Sequence, residues 1–215
     1  MSVAVMIPSR DRPEQLIDAC RSVLETSRAT VAVYVDEDQA DFYAGPMSSL
    51  GGSDRIRFMG GKRIGPVAAA NLLMRANPGF DVYGLITDDA RITTPKWDEW
   101  SEAAIEQAPN RILVIDPRHD LGEHVDMPFV SKEWIEVTGW YACPDFYHFC
   151  WPILTGLIGE MTAIIHAGSK DFGLHHLGLS HSNLRAREDD EKRFFNWAAL
   201  KLPEVVDKLR RAMMS

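Results

Sequence analysis

The chain has 215 residues, 46% of them hydrophobic, with a formal net charge of -8 and a sequence pI near 5.3. This length and apolar content are enough for one sizeable core and do not require a second. The negative net charge argues against a general nucleic-acid binder, because such proteins gain most of their affinity by neutralising phosphates.

Cysteine usage and the apolar runs predict a cytoplasmic protein. The three cysteines are odd in number and show no CxxC spacing, which favours free, buried thiols in a reducing compartment. Residues 1–10 are apolar over too few positions and lack a basic leader, so a first strand is expected there and not a signal peptide. The longest apolar run, 149–165, is interrupted by Pro152, Gly156 and Glu160 and predicts a buried core helix, with no membrane span.

Two continuous apolar runs near the N-terminus, 3–7 and 31–35, predict neighbouring parallel strands, with a helix from Pro13 between them. Because the carboxyl ends of such strands share one edge of the sheet, we expect the polar residues that follow them to meet there. Arginine side chains in this set could bind phosphate groups, or they could form ion pairs with the acidic side chains of the same set. The candidate residues are Pro8 and the polar Ser9, Arg10 and Arg12 after the first strand, and Asp36, Glu37 and Asp38 after the second.

A third strand is predicted at residues 55–59, after a loop at 45–52, and it leads through a basic, glycine-rich segment into a helix at 67–76. Glycine and lysine ahead of a helix resemble a phosphate cradle, although the spacing matches neither a P-loop nor a dinucleotide fingerprint. Asn71 lies on the small-residue face of this helix, where it could reach a bound ligand or cap a buried carbonyl. The candidate residues of the segment itself are Lys62, Arg63 and Gly65.

A buried strand at residues 82–86 ends in Thr87, Asp88 and Asp89. Adjacent carboxylates repel one another unless a cation lies between them, so the pair indicates a divalent metal with oxygen ligands. The alternative is a solvated turn, or a cap for the helix that follows.

The second half of the chain alternates short strands and helices. An aromatic segment at 145–149 is either core or a platform for a ring. The tail from residue 187 is amphipathic and broken at Pro203, which predicts helices packed on the body or on a partner chain. The other predicted elements are helices at 97–107 and 132–137 and strands at 111–115, 127–130 and 172–179.

Taken in chain order over residues 3–181, these motifs resemble those of GT-A fold glycosyltransferases, and are similar to family-two enzymes and to small actinobacterial and phage-type members. The resemblance implies an α/β, Rossmann-like nucleotide-diphospho-sugar transferase fold with a mostly parallel central sheet flanked by helices. We expect the GT-A domain to span 1–186, with 187–215 as a C-terminal helical appendage packed on the same domain.

The resemblance also assigns a donor site. It implies a loop that faces the nucleotide, acidic residues that accept hydrogen bonds from the nucleotide's base, and a segment that runs below the diphosphate. These residues are Pro8, Ser9, Arg10 and Arg12 in the loop, Asp36 and Asp38 at the base, and Lys62, Arg63, Gly65 and Asn71 below the diphosphate.

A metal site follows from the same resemblance. Asp88 and Asp89 resemble the acidic metal-binding triplet of the family, with Thr87 where many members carry another carboxylate. His176, favoured over His175, resembles a ligand on a late strand. The set implies Mn²⁺ or Mg²⁺, with the imidazole leaning towards Mn²⁺, as a Lewis acid for the departing diphosphate.

The catalytic base is the point at which the sequence departs from the family. Inverting members carry a carboxylate on the helix after a Gly-Trp segment, here 139–140, yet 148–155 contains no acid. Asp145 is the first candidate, His148 the second, and Asp189 could reach back from the tail. The departure also leaves open a protein that binds a nucleotide sugar without turning it over.

The expected function is therefore a metal-dependent hexosyl- or pentosyltransferase that moves a sugar from a nucleotide-diphosphate donor, such as a UDP-sugar, to an acceptor hydroxyl. The acceptor could be a glycan, a lipid-linked sugar, a protein or a modified nucleobase. The sequence also leaves open whether the protein forms a homodimer. The alternatives are a non-catalytic nucleotide-sugar-binding or partner-binding module, and a nucleotidyltransferase of similar architecture. Residues 8–13 argue against the last, since they lack the glycine-rich loop that such enzymes usually carry.

Overall fold

The computed structural model describes residues 2–119, 125–148, 150–167, 172–176 and 184–215. The strands are β1 (Val3–Ser9), β2 (Thr30–Asp36), β3 (Ile56–Gly61), β4 (Val82–Leu85), β5 (Ala90–Ile92), β6 (Val114–Asp116), β7 (Arg118–His119), β8 (Phe129–Ser131), β9 (Ile165–Ala167) and β10 (Gly173–His176). The α-helices are α1 (Pro13–Thr26), α2 (Ala40–Ser48), α3 (Pro66–Ala76), α4 (Trp97–Gln107), α5 (Lys132–Thr138), α6 (Trp151–Thr162), α7 (Leu184–Leu200) and α8 (Leu202–Met214). Glu37–Gln39 and Pro109–Arg111 are short 3₁₀ helices.

A seven-stranded sheet in the order β3-β2-β1-β4-β8-β6-β9 forms the centre of the molecule. Strand β8 runs antiparallel to both of its neighbours, β4 and β6, and the other strands run parallel to one another. The carboxyl ends of β1, β2, β3, β4 and β6 therefore lie at one edge of the sheet, which we call the carboxyl edge. The amino end of β8 lies at the same edge because its direction is reversed.

Strand β1 explains why this sheet is central. Val3, Val5 and Ile7 pack into one apolar cluster with α1 and α4, while Ala4 and Met6 pack into a second cluster with α3, α6 and α8. A strand buried on both faces needs a continuous apolar run, because successive side chains point to opposite faces. The predicted first strand is confirmed, and it extends to Ser9.

A smaller sheet, ordered β5-β10-β7, continues directly from the Asp88–Asp89 turn. Strand β10 is antiparallel to β5 and parallel to β7. The strand predicted at 172–179 is confirmed for Gly173–His176, and 177–179 lies outside the described residues. Strands β5 and β7, of three and two residues, were not predicted, since so short a run carries no periodicity.

The C-terminal helices share the main core. Trp197 of α7 and Leu202, Val206 and Leu209 of α8 are buried in the cluster that also holds α3 and α6. Helix α7 begins at Leu184, so the predicted boundary at 187 falls inside this helix. The predicted break lies at Lys201, with Pro203 in the first turn of α8, where no amide hydrogen is needed.

Two boundary predictions were wrong. A loop was predicted at 45–52, but helix α2 continues through Pro46 to Ser48. This helix buries only Tyr43, so it lacks the apolar periodicity by which a helix is recognised in a sequence. The strand predicted at 111–115 begins only at Val114, after the Pro109–Arg111 3₁₀ helix.

The long apolar run forms the buried helix α6, as predicted, and then strand β9. Among the described helices, none combines the length and apolarity that a bilayer crossing requires.

Gly84 in β4 gives a test of the central sheet. A Cβ atom at Gly84 would lie 2.1 Å from two ring carbons of Phe129 on β8, whereas one at Gly45 in α2 would meet nothing within 4 Å. We expect Gly84→Ala to lower the free energy of unfolding by about 1–3 kcal/mol through overpacking. Gly45→Ala should leave it unchanged or slightly raised. Urea denaturation of both variants measures this, and equal midpoints would contradict the packing described.

Candidate active site

The loop after β1 is held against the carboxyl end of β4 by a chain of buried hydrogen bonds. The Ser9 hydroxyl donates to Asp88 Oδ2 at 2.7 Å and lies 2.7 Å from the Tyr43 hydroxyl, which in turn accepts from the Arg12 amide at 3.0 Å. The Ser9 hydroxyl has a single hydrogen, and this hydrogen is directed at Asp88. In the bond between the two hydroxyls, Tyr43 is therefore the donor and the Ser9 oxygen the acceptor. Tyr43 of α2 was not among the predicted site residues, yet it joins the first loop to the acidic pair.

Arg12 supplies the cation that lies between the two adjacent carboxylates. Its Nη1 is 3.2 Å from Asp88 Oδ1 and 2.9 Å from Asp89 Oδ2. Asp88 and Asp89 are only 7% and 2% exposed. Burial raises the pKa of Asp88 and the neighbouring Asp89 charge adds to this, while the bonds from Ser9 and Arg12 oppose it. The solvated-turn alternative for the pair is therefore wrong.

A second ion-pair cluster joins β1 to β2. Arg10 donates through Nη1 to Asp36 Oδ2 at 2.7 Å, and through Nη1 and Nη2 to the two oxygens of Asp38 at 2.8 and 2.7 Å. The hydrogen bonds from Arg10 lower the pKa of Asp38. The sequence left open whether the arginines bind phosphate or form ion pairs with the nearby acids, and the structure shows the ion pairs.

The basic segment after β3 lies beside Asp36, because Gly61 is its partner in the β2–β3 register. Lys62 and Arg63 are exposed there, and the Tyr34 hydroxyl donates to the Lys62 carbonyl at 2.7 Å. Gly65 has a φ of 79°, and a Cβ atom on it would lie 2.6 Å from the Tyr147 ring. Position 65 therefore requires glycine both for its backbone conformation and for the approach of Tyr147.

Asn71 takes the capping role that the sequence left open. Its Nδ2 donates to the Val67 and Ala142 carbonyls at 3.2 and 2.7 Å, and its Oδ1 accepts from the Tyr141 and Ala142 amides at 3.1 and 3.2 Å. These bonds hold α3 against the segment after α5. The predicted contact of Asn71 with a donor gains no support from this geometry.

Asp145 is tied to the C-terminal helices. Its Oδ2 accepts from Lys201 Nζ at 2.7 Å and from Trp197 Nε1 at 2.8 Å. The Lys201 bond, opposed in part by burial, leaves the pKa of Asp145 below its ordinary value. A carboxylate held in this way is a weak proton acceptor, so its assignment as the base stays a prediction that these contacts do not favour.

The predicted tail residue Asp189 is exposed, whereas its neighbour Asp190 is fully buried. Asp190 accepts from the Tyr147 amide at 3.0 Å and from the His148 amide at 2.8 Å. The signal was present in the sequence: Asp190, Phe194 and Trp197 lie at helical spacing on the face that α7 turns to the core.

Asp126 is a second acid that sequence reasoning missed. It precedes β8, whose amino end reaches the carboxyl edge, and the adjacent Met127 Sδ lies 4.0 Å from Thr87 Oγ1. Burial lowers the pKa of His148, and the charges of Asp190 and Asp126 oppose this shift. The antiparallel direction of β8, which the sequence does not reveal, brings Asp126 to this edge.

The acidic pair fits a hard divalent ion. In the part of the chain that the structure describes, no group of three or more His, Cys, Asp or Glu side chains could hold a metal. His176 pairs with Ala90 in the small sheet, and its side chain lies outside the described part. Asp88 and Asp89 nevertheless supply oxygens that converge on one cation, and Mg²⁺ is often held by one or two carboxylates together with substrate phosphates.

No protein-family model and no curated protein matches the chain. Solved structures do. The mannosyltransferase PcManGT from Pyrobaculum calidifontis, in complex with GDP-Man and Mn²⁺, matches with a TM-score of 0.67 and 10% identity over 98% of this chain and 73% of that one. S. aureus TarS 1-349 matches with a TM-score of 0.61 and 12% identity over 94% and 73%. TarS 1-349 in complex with UDP matches with a TM-score of 0.59 and 12% identity over 92% and 72%.

These matches confirm the predicted fold class. The chain has an α/β fold with a mostly parallel central sheet flanked by helices, as in these glycosyltransferases. The likeness to family-two and phage-type members stays an expectation.

Asp190 and Asp189 form a matched pair for testing the contact with the 147–148 segment. We expect Asp190→Asn to lower the free energy of unfolding by roughly 1.5–3 kcal/mol, because charge-assisted bonds to two buried amides are weakened. The exposed Asp189→Asn should change it by no more than about 0.5 kcal/mol. Denaturant unfolding of both variants gives the comparison, and equal losses would contradict this role of Asp190.

The Asp145 ion pair predicts a pH dependence. The lowered pKa means that ionised Asp145 contributes stability above its ordinary value of 3.8, and that this contribution is lost as the pH falls through the lower folded-state pKa. Because the Asp145 side chain is 45% exposed, we expect Asp145→Asn to cost no more than about 1 kcal/mol near neutral pH. The cost should disappear in acid. Melting curves across pH measure it, with the exposed Asp207→Asn as control, and a cost that grows in acid would refute the pairing.

Proposed function

We propose that the chain is a metal-dependent glycosyltransferase that moves a sugar from a nucleotide-diphosphate donor to an acceptor hydroxyl. One observation carries the proposal: within a glycosyltransferase fold, the acids and arginines that follow β1, β2 and β4 converge at the carboxyl edge. Ligands of open α/β sheets bind outside this edge.

The donor's nucleotide would lie over the ends of β1 and β2. Asp36 and Asp38 supply acceptors for the edge of the base, and Lys62 and Arg63 supply exposed positive charge beside them for the phosphates. The neighbours solved with GDP-Man and with UDP support a nucleotide-linked donor, without choosing between the two nucleotides.

Asp88 and Asp89 would hold the Mg²⁺ or Mn²⁺, with His176 proposed as a third ligand. The bound ion would supply Lewis-acid stabilisation of the departing diphosphate. Ser9 keeps the Asp88 carboxylate oriented through its 2.7 Å hydrogen bond. The neighbour solved with Mn²⁺ supports the use of a divalent metal.

His148 is the best supported proton acceptor among the candidates. Its lowered pKa keeps the imidazole neutral near pH 7, so a ring nitrogen could take the proton of the acceptor hydroxyl. Asp190 holds the backbone of His148 in place. Asp145 is a weaker candidate because its bonds from Lys201 and Trp197 lower its pKa, and Asp189, exposed on α7, is the third candidate.

A thermal-shift panel of UDP-, GDP-, CMP- and TDP-sugars, with and without Mn²⁺, tests the proposal. A ligand that binds only the folded state stabilises it by about 2.7 kcal/mol at 100 times its dissociation constant. We expect one donor class to raise the melting temperature in the presence of Mn²⁺, and Asp89→Asn to abolish this rise. The exposed Asp41→Asn in α2 serves as the matched control.

Transfer or hydrolysis of that donor should then require the metal. Turnover that survives a chelator would contradict the metal-dependent mechanism. Binding without turnover on a broad acceptor panel would favour the non-catalytic nucleotide-sugar-binding module.

A further inference from the structure

Arg12 lies where a metal ion would be expected. One nitrogen, Nη1, contacts both members of the acidic pair, at 3.2 Å from Asp88 and 2.9 Å from Asp89. In the neighbouring cluster, Arg10 likewise places Nη1 between Asp36 and Asp38, and it adds a parallel bond through Nη2 to Asp38. A single cationic nitrogen between two carboxylates is the arrangement of a bridging ion.

The backbone of Arg12 is anchored while its side chain extends from it. The amide donates to the Tyr43 hydroxyl at 3.0 Å, and the carbonyl accepts from the Leu16 amide of α1 at 3.0 Å. Pro13 restricts the chain on the carboxyl side of Arg12. Any displacement of the guanidinium is therefore a rotation of the side chain, with the loop unchanged.

A divalent ion and a guanidinium cannot both bind between these carboxylates, because their positive charges repel one another. Once a divalent ion neutralises the pair, the Arg12 side chain, which is 17% exposed, would be a largely buried cation that has lost its bonds to Asp88 and Asp89. Such a charge is costly unless another anion compensates it. The diphosphate of a donor held by the same metal would be that anion, in a shape that suits a planar guanidinium.

We propose that Arg12 and the divalent metal compete for Asp88 and Asp89, and that the displaced guanidinium then binds the donor's diphosphate. The inference rests on the proposed function. Arg12 thus stabilises the acidic pair in the empty protein and positions the phosphates in the loaded one. Metal binding without a donor is weakened by this competition, and metal and donor bind cooperatively.

Two measurements on Arg12→Gln test this, with opposite expected signs. Mn²⁺ binding without nucleotide, followed by the electron paramagnetic resonance signal of free Mn²⁺, should tighten by about fivefold or more, the lower end of ordinary coupling between two ligands. Calorimetric binding of UDP or GDP at saturating Mn²⁺ should weaken by a similar factor.

Arg21→Gln is the matched control, because it removes an exposed positive charge from α1 that pairs with Asp18 and not with the acidic pair. Its Mn²⁺ affinity should stay within about twofold of the parent protein, since surface charges act weakly at a distance. Equal tightening in both variants would mean general electrostatics and would overturn the competition.

A measurement on the unsubstituted protein covers the case in which Arg12→Gln does not fold. Mg²⁺ should shift the Arg12 Nε–Hε resonance, and an unchanged resonance at saturating Mg²⁺ would overturn the proposal. The two proposals fail in different ways. If no nucleotide sugar binds, the proposed function fails, whereas unchanged Mn²⁺ affinity in Arg12→Gln beside normal donor binding overturns the competition alone.

Discussion

The arrangement of the site depends on one electrostatic constraint, the burial of two adjacent carboxylates at the end of β4. Asp88 and Asp89 are almost fully buried, and such a pair is tolerated only beside a positive charge and hydrogen-bond donors. Arg12 and Ser9 supply them from the loop after β1. The same constraint therefore positions this loop and, through Tyr43, connects it to α2.

A second set of contacts joins the C-terminal helices to the first half of the chain. Asp190 of α7 holds the amides of Tyr147 and His148, and the Tyr147 ring packs on Gly65 beside the basic segment. Asn71 of α3 accepts hydrogen bonds from the amides of Tyr141 and Ala142, and so holds the chain just before Tyr147 against α3. Helix α7 therefore holds the Tyr147–His148 segment, and Tyr147 in turn packs beside the basic segment that follows β3.

Local pattern was enough for the long elements. Strand β1 is apolar on both faces, and α4 has the predicted bounds, because burial imposes a periodicity that is visible in the residues themselves. The short strands β5, β7 and β9 carry no such pattern, since their pairing comes from neighbours distant in sequence. The same limit applied to Asp126, whose place at the carboxyl edge depends on the antiparallel direction of β8.

The sequence by itself determined that acids and arginines follow successive parallel strands, and hence that they meet at one edge of an α/β sheet. It also indicated a cation beside the Asp88–Asp89 pair, while a solvated turn or a helix cap stayed open as the alternative. Only the tertiary structure decided that Arg12 contacts both carboxylates, that Asp190 is buried while Asp189 is exposed, and that Asp145 pairs with Lys201. The reason is physical: periodicity records whether a residue faces the core, whereas the partner of a charged side chain depends on distances between segments far apart in the chain.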